Sequence, residues 1–317
     1  MSRPSNLHVI FGAGQVGALL ARDLAAAGAT VRVARRSEGP VPEGGELFRG
    51  DANDPAFCRN ASRGATAVYH CMNPAYSSAL WAEQVPRFAE NLVLAAGATG
   101  ARLVVLDNLY MLGPTKGRPL DEDTPFAPVS RKGEARAVAA RRYLSATARG
   151  EARVVVGRAS DFYGPGGEGS HFGPTFWKGV FDGKPGNLVV PPDAIHTYHY
   201  IPDVARALGA LGTAPPDVDG KTFMLPCAPA ETGRALVARF SAALGREIRI
   251  RVLPRPLVRV LGLFVPLLAE VGEMLYQWDA PFVVRDARFR ARFPAIAATS
   301  PEEGARATVA WARERFA

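Results

Sequence analysis

Cysteine is nearly missing: Cys58, Cys71 and Cys227 are the only three in 317 residues. Three cannot build a disulfide framework, and no two stand in the Cys-x-x-Cys spacing that holds zinc. A reducing compartment suits such a chain, so a cytoplasmic location is expected. Long apolar runs are missing too. The longest, residues 260–269, is bounded by Arg259 and Glu270 and falls short of the roughly 20 residues that cross a bilayer. No basic stretch followed by an apolar one opens the chain, so no export signal is expected. Lysine is scarce: it supplies five of the 38 cations, and arginine the rest. These arginines are scattered among 30 acidic residues. The net charge of +8 therefore does not read as a nucleic-acid surface, which gathers its cations on one face. A phosphate-holding site accounts better for a few of them. With 48% hydrophobic and 21% charged residues, the chain is too apolar for disorder and long enough for one large core or two modest ones.

The first half alternates short β-rich runs with helical spacing. Strands are expected at Leu7–Phe11, 31–34, 46–49, 67–70, 102–106 and 152–158. Helices are expected at 14–27, 54–61, 77–96 and 130–149. Such alternation, with apolar strands, implies a doubly wound parallel sheet covered on both faces. The second half is less regular. Further strands are expected at 188–190, 222–225 and 247–252, with helices opening at Asp203 and covering 232–244. The apolar stretch 257–275 is expected to be a buried lid helix or pocket wall rather than a membrane-surface helix. A last helix starts near Ser300, which with Glu303 forms a capping box. The expected organisation is a dinucleotide-binding α/β domain over residues 1–165, joined by a returning segment at 187–212. Residues 166–317 mainly form a smaller α+β substrate lid.

Gly12-Ala13-Gly14-Gln15-Val16-Gly17 is a Gly-x-Gly-x-x-Gly between the first strand and first helix. The first glycine permits the tight turn, the second lets backbone approach a pyrophosphate, and the third allows close helix–strand packing. The helix start then supplies amide donors. The second strand ends in Arg35-Arg36-Ser37, where an NAD site usually carries a carboxylate. Two guanidiniums and a hydroxyl suit a 2′-phosphate. The expected cofactor is NADP(H) in preference to NAD(H).

Further along, Gly50-Asp51-Ala52-Asn53-Asp54, Val68-Tyr69-His70-Cys71-Met72, Asn91 to Ala96, Arg158 to Gly166 and Tyr200-Ile201-Pro202-Asp203-Val204-Ala205 stand in order. With the glycine motif, these segments resemble an extended short-chain dehydrogenase/reductase of the NAD(P)-dependent epimerase/dehydratase kind. The resemblance implies that Asp51 and Ala52 meet the adenine and that Cys71, Met72 and Asn73 pass along the cofactor. It also implies that Asn91 lies beneath the site, and that Asp161, Phe162 and Tyr163 begin the substrate region.

The departures bear most on chemistry. The resemblance places Asn108 where the family carries Ser or Thr. The family's Tyr-x-x-x-Lys is missing: Lys132 takes the tyrosine register and Arg136 the lysine register. This chain therefore resembles atypical members that lack the usual tyrosine. Tyr110, two residues past Asn108, is a substitute proton donor, and in an extended strand end both side chains would point the same way. Lys132 is a second, if burial or a neighbouring cation lowers its pKa. Arg136 can donate to a ribose hydroxyl. His196 stands where nucleotide-sugar enzymes of the family carry an arginine for the diphosphate. Neutral histidine offers no bidentate clamp, which disfavours a nucleotide-sugar substrate. The His196/His199 pair lacks a third ligand, so no metal site is expected. Phe172, Phe176, Trp177, Leu257, Leu261, Phe264, Leu268 and Trp278 read either as lid core or as walls for an apolar substrate.

The leading expectation is an NADP(H)-dependent oxidoreductase acting on a small carbonyl, alcohol or conjugated alkene. An NAD(P)-dependent epimerase/dehydratase and a non-catalytic NADP(H)-binding sensor are the alternatives. The expected partners are a small-molecule substrate and a second copy of the chain, paired through helices 77–96 and 130–149; neither nucleic acid nor a membrane span is expected.

Overall fold

The sheet forms where the sequence places β-branched and aliphatic residues in short runs. The computed structural model describes residues 6–317. Its first half runs β1 (Leu7–Phe11), α1 (Gly17–Ala26), β2 (Thr30–Arg35), β3 (Glu46–Arg49), α2 (Pro55–Ala61) and β4 (Ala65–His70). It continues α3 (Ser78–Thr99), β5 (Arg102–Asp107), α4 (Arg131–Ala148) and β6 (Arg153–Arg158). After these come β7 (Asp161–Tyr163), α5 (Pro174–Phe181), β8 (Gly186–Leu188), β9 (Ile195–His196), β10 (Tyr198–Tyr200) and α6 (Ile201–Thr213). The last stretch holds β11 (Thr222–Met224), β12 (Glu231–Thr232), α7 (Gly233–Leu244), β13 (Ile250–Val252), α8 (Arg255–Gly262), α9 (Pro266–Gly272), α10 (Ala287–Arg292) and α11 (Pro301–Phe316).

Seven strands form the central sheet in the order β11-β6-β5-β4-β1-β2-β3. From β6 to β3 every neighbouring pair is parallel. The order reverses beside β1, placing the glycine turn at a topological switch point, where open α/β sheets bind ligands. The chain divides into two units. The first comprises residues up to Met111, Arg131–Arg158 and Val204–Phe223; the second comprises Leu112–Ser130, Ala159–Asp203 and Met224–Ala317.

In the first unit Val9, Phe11, Val68, Leu103, Val105 and Val156 pack with Trp81 and Leu92 of α3. Each such side chain contributes about 1.5–3 kcal/mol on burial. Arg102, buried at the start of β5, is held by Asp219 at 2.6 Å and by the carbonyls of Leu211, Ala214 and Pro215. That cation thereby satisfies the carbonyls leaving α6. The second unit has an aromatic core in which Phe172, Phe176, Trp177 and Phe240 meet largely edge to face.

Several expectations change. α1 starts at Gly17, because residues 12–16 remain in the turn, with Gly12 at φ +93°. Asp203 is not the N-cap residue: α6 already begins at Ile201, and the carboxylate accepts from the Thr299 N–H at 2.6 Å and its hydroxyl at 2.7 Å. Strand β8 lies at Gly186–Leu188, earlier than expected. Residues 257–275 are not one buried helix. Gly262 ends α8 and Pro266 opens α9, and Leu257, Val260, Leu263, Phe264, Val265 and Leu267 are exposed. Of the expected apolar walls, Phe172, Phe176 and Trp177 belong to the second unit's core. The Ser300 capping box forms, with Ser300 Oγ accepting from the Glu303 N–H and donating to its carboxylate at 2.7 Å.

Candidate functional site

A cavity of about 370 Å³ opens at the glycine turn of the first unit. Its lining brings together Gly12, Gly14, Arg35, Arg36, Ser37, Asp51, Ala52, Cys71, Met72 and Asn73, residues from four different turns. Among the lining residues that escaped the sequence reading are Phe57, Gln84 and Phe88. Their helical positions carry no local motif.

Each glycine has its own physical cause. A Cβ at Gly12 would meet Met72 Cγ at 2.7 Å and the Cys71 carbonyl oxygen at 2.9 Å. One at Gly17 would lie 1.9 Å from the Gly12 carbonyl oxygen. One at Gly14 would meet nothing within 4 Å. The outer two glycines thus serve packing, while Gly14 keeps a space clear at the start of α1. Gln15 Oε1 is buried there without a hydrogen-bond partner, an acceptor that a ligand hydroxyl or amide would satisfy. Val16 is buried at the N-cap position of α1. Together these features fit a dinucleotide with its pyrophosphate over Gly14.

Where the turn after β2 borders the cleft, Arg35 donates to Ser37 Oγ at 3.1 Å, and Arg36 is exposed. Glu38, the nearest carboxylate, is bonded to Arg49 at 2.9 Å. Asp51 Oδ1 accepts from the Asn53 backbone and side chain, which fixes the turn. Asn91 does not line the cavity. Its amide donates to the carbonyls of Ala52 and Asn53 at 2.9 and 3.1 Å, holding that turn from behind. Burial pushes the Cys71 thiol up to about 12, so it stays protonated and unreactive.

A second cluster gathers at the ends of β4 and β5. Arg136 of α4 is buried and donates to Asn73 Oδ1 and to Asp107, at 3.3 Å for the latter. Its guanidinium lies over the Trp81 ring at 4.9 Å, and Tyr110 stacks on the same indole at 5.7 Å. Burial raises the Asp107 carboxyl, partly offset by Arg136 and Arg158. Lys132 is fully buried, with Nζ 3.1 Å from Ser78 Oγ and over the Tyr76 ring at 4.6 Å. The structure thus joins Arg136 and Tyr110 through Trp81, and places Lys132 against Tyr76 and Ser78. Tyr76, Ser78, Trp81 and Asp107 were missed in the sequence, since only the packing of α4 against α3, the segment before it and the end of β5 reveals them.

Asn108 and Tyr110 do not extend the strand. β5 ends at Asp107, Asn108 Oδ1 accepts the Tyr110 N–H at 3.1 Å, and residues Tyr110–Leu112 form a 3-10 turn. An asparagine side chain that mimics a turn backbone is the cause.

In the second unit, Asp161 accepts from His196 Nε2 at 2.7 Å and from His171 Nε2 at 3.2 Å. Burial drives the Asp161 carboxyl upward, but hydrogen bonds from His171 and His196, with their charges, outweigh it and hold it far below the carboxylate range. His196 stacks on Trp278 and on Phe282, at 4.9 and 5.0 Å. His171, half-buried, carried no motif and was not anticipated. Phe162 is half-buried in β7. Tyr163 is a core residue, packed on Tyr200 and Phe240, with Gly304 leaving room for its hydroxyl. No cluster of three or more His, Cys, Asp or Glu suited to a metal occurs among the described residues.

Fold and cleft together define a nucleotide-binding Rossmann-type α/β protein. The chain belongs to the NAD dependent epimerase/dehydratase family, whose sequence model matches residues 9–224, and it is an enzyme of that class. No curated protein sequence matches it significantly. Among solved structures, it is similar to UDP-glucuronic acid 4-epimerase from Bacillus cereus in complex with NAD, at TM-score 0.76 and 14% identity, over 98% of this chain and 100% of that one. The Bordetella bronchiseptica enzyme WbmH in complex with NAD+ aligns at TM-score 0.74 and 19% identity, over 98% and 99%. MoeE5 in complex with UDP-glucose and NAD aligns at 0.78 and 20%, over 98% and 99%.

Proposed function

We propose that the enzyme transiently oxidises a secondary alcohol of a small substrate and reduces it again, giving epimerisation or dehydration. The space kept clear over Gly14, in a cleft lined by Arg35, Asp51 and Cys71 to Asn73, carries this reading. A bound nicotinamide dinucleotide would supply the hydride acceptor and donor. Gly12, Gly14 and the start of α1 would hold its pyrophosphate, and Asp51 and Ala52 its adenine. Arg136 keeps the inner end of the cleft cationic. Asn108 can hold the substrate oxygen through its amide, and the Tyr110 hydroxyl takes or returns the proton at that oxygen. Lys132 acts through Tyr76 and Ser78, as an electrostatic support. Asp161 and Phe162 are the substrate-contacting groups proposed in the second unit, with fully buried His196 acting through its bond to Asp161.

The neighbouring structures hold UDP-glucose and UDP-glucuronic acid. His196, stacked on two aromatic rings and bonded to Asp161, offers no forked cation for a diphosphate. A substrate without that group is therefore favoured. A second reading, net reduction of a carbonyl or conjugated alkene with NADPH, is favoured by Arg35, Arg36 and Ser37 at the adenosine end. In both readings the enzyme works as a homodimer in the cytoplasm.

The test supplies purified enzyme with NAD+ or NADP+ and a panel of free and nucleotide-linked hydroxylated compounds, and separately with NADPH and a panel of carbonyls and conjugated alkenes. Isomer formation without net reduced cofactor is the expected result. NADPH consumed in step with a carbonyl or alkene would establish the second reading, and no turnover in any combination would overturn both.

A further inference from the structure

The turn joining α8 to α9 exposes five consecutive apolar residues: Leu263, Phe264, Val265, Pro266 and Leu267. Leu263 and Phe264 are each 79% exposed, the highest values for large hydrophobic side chains among the described residues. Neighbouring Leu257 and Val260 are also exposed. Only Val258 of α8 is buried, and no residue of α9 is. Such a run costs free energy in water and ordinarily marks an interaction surface.

The charges beside it indicate the partner. From Ile248 to Ala269 there are four arginines and no acidic residue; Glu247 before this stretch and Glu270 of α9 after it are the nearest acids in sequence. Arg249 donates to the Gly183 carbonyl, and Arg255 is engaged by Asp279 and the Leu275 carbonyl. Arg251 and Arg259 are exposed. A tip that is apolar at its point and cationic on its flank complements a surface that is anionic outside and apolar beneath. We propose that this tip is a peripheral anchor for an anionic phospholipid bilayer. Leu263, Phe264 and Leu267 enter the headgroup–acyl boundary, about 5–10 Å deep, and Arg251 and Arg259 meet lipid phosphates. With α8 and α9 at eight and seven residues, and no described helix long and apolar enough to cross a membrane, the contact is in-plane and reversible. A second copy of the chain fits this tip less well, because a two-fold contact would bring the same arginines together.

The test is co-sedimentation of the full chain with vesicles of phosphatidylglycerol and phosphatidylcholine, against phosphatidylcholine alone, across a salt series. The wild type is expected to pellet with the anionic vesicles and to be released by salt. The double variant Leu263→Asp, Phe264→Asp should lower partitioning by about tenfold or more. Arg251→Ser and Arg259→Ser should each lower it about fivefold on anionic vesicles only. All variants should keep the wild-type circular dichroism melt, since the altered side chains lie outside the core. Absence of wild-type binding, or equal binding by the double variant, would overturn the proposal. So would loss of wild-type self-association in the double variant, which would assign the tip to a second copy.

Discussion

A Cβ at Gly17 would sit 1.9 Å from the Gly12 carbonyl oxygen, whereas one at Gly14 would meet nothing within 4 Å. Substitution at the first position therefore damages the fold, and at the second it damages only what lies above the turn. The same distinction separates the cations. Arg35 and Arg36 border the cleft, and removing either should cost NADPH about 1.5–3 kcal/mol, the range for hydrogen bonds to charged groups. Fluorescence titration of Arg35→Ala and Arg36→Ala should show that loss for NADPH with little change for NADH; equal losses would exclude a 2′-phosphate contact. Among proton donors, half-buried Tyr110 and fully buried Lys132 make different predictions. Tyr110→Phe should lower turnover about 10²–10⁴-fold with dinucleotide affinity kept. Lys132→Met should mainly lower the melting temperature, through the lost Ser78 and Tyr76 contacts. If Lys132→Met abolishes turnover at an unchanged melt while Tyr110→Phe stays active, the roles are exchanged.

At the scale of elements, His199 ties β10 to two other segments. The Ser160 N–H donates to its Nδ1 at 3.0 Å, so the ring's proton is on Nε2, 3.1 Å from the Leu225 carbonyl oxygen. Burial lowers its pKa to about 4 from 6.5. Burial, with Arg136 nearby, lowers His70 to about 3. With folded values below the unfolded one, the unfolded chain takes up protons first on acidification. Stability is thus complete above about pH 6.5 and declines toward pH 4. Urea unfolding across that window should show this decline, shallower in His199→Gln; identical slopes would contradict the assignment. The elements also show what local sequence encodes. Strands β1, β4 and β5 and the glycine turn were legible because apolar runs and φ-demanding glycines are local signals. The 3-10 turn after β5 was not, because it depends on which way the Asn108 amide rotates. Nor was the exposed α8–α9 tip, since an apolar run reads the same whether a partner covers it or water does. The Lys132–Tyr76–Ser78 and Asp161–His171–His196 groupings join residues far apart in sequence, with no spacing to announce them.

For the whole molecule, exposed Leu94, Val138 and Leu144 on α3 and α4 support the proposed homodimer. Light scattering should then give about twice the chain mass of 33.8 kDa, and the monomer mass would count against it. The departure from Tyr-x-x-x-Lys leaves the first unit's cleft intact, so dinucleotide binding is expected to survive loss of the proposed proton donor. The central claim is that the space over Gly14 seats a dinucleotide. Calorimetric titration with NADPH and NAD+, for wild type and Gly14→Val, tests it most directly. The wild type should bind one equivalent per chain, NADPH the more tightly, and Gly14→Val should bind neither while melting as the wild type does. Failure of the wild type to bind either dinucleotide, or undiminished binding by Gly14→Val, would contradict the account.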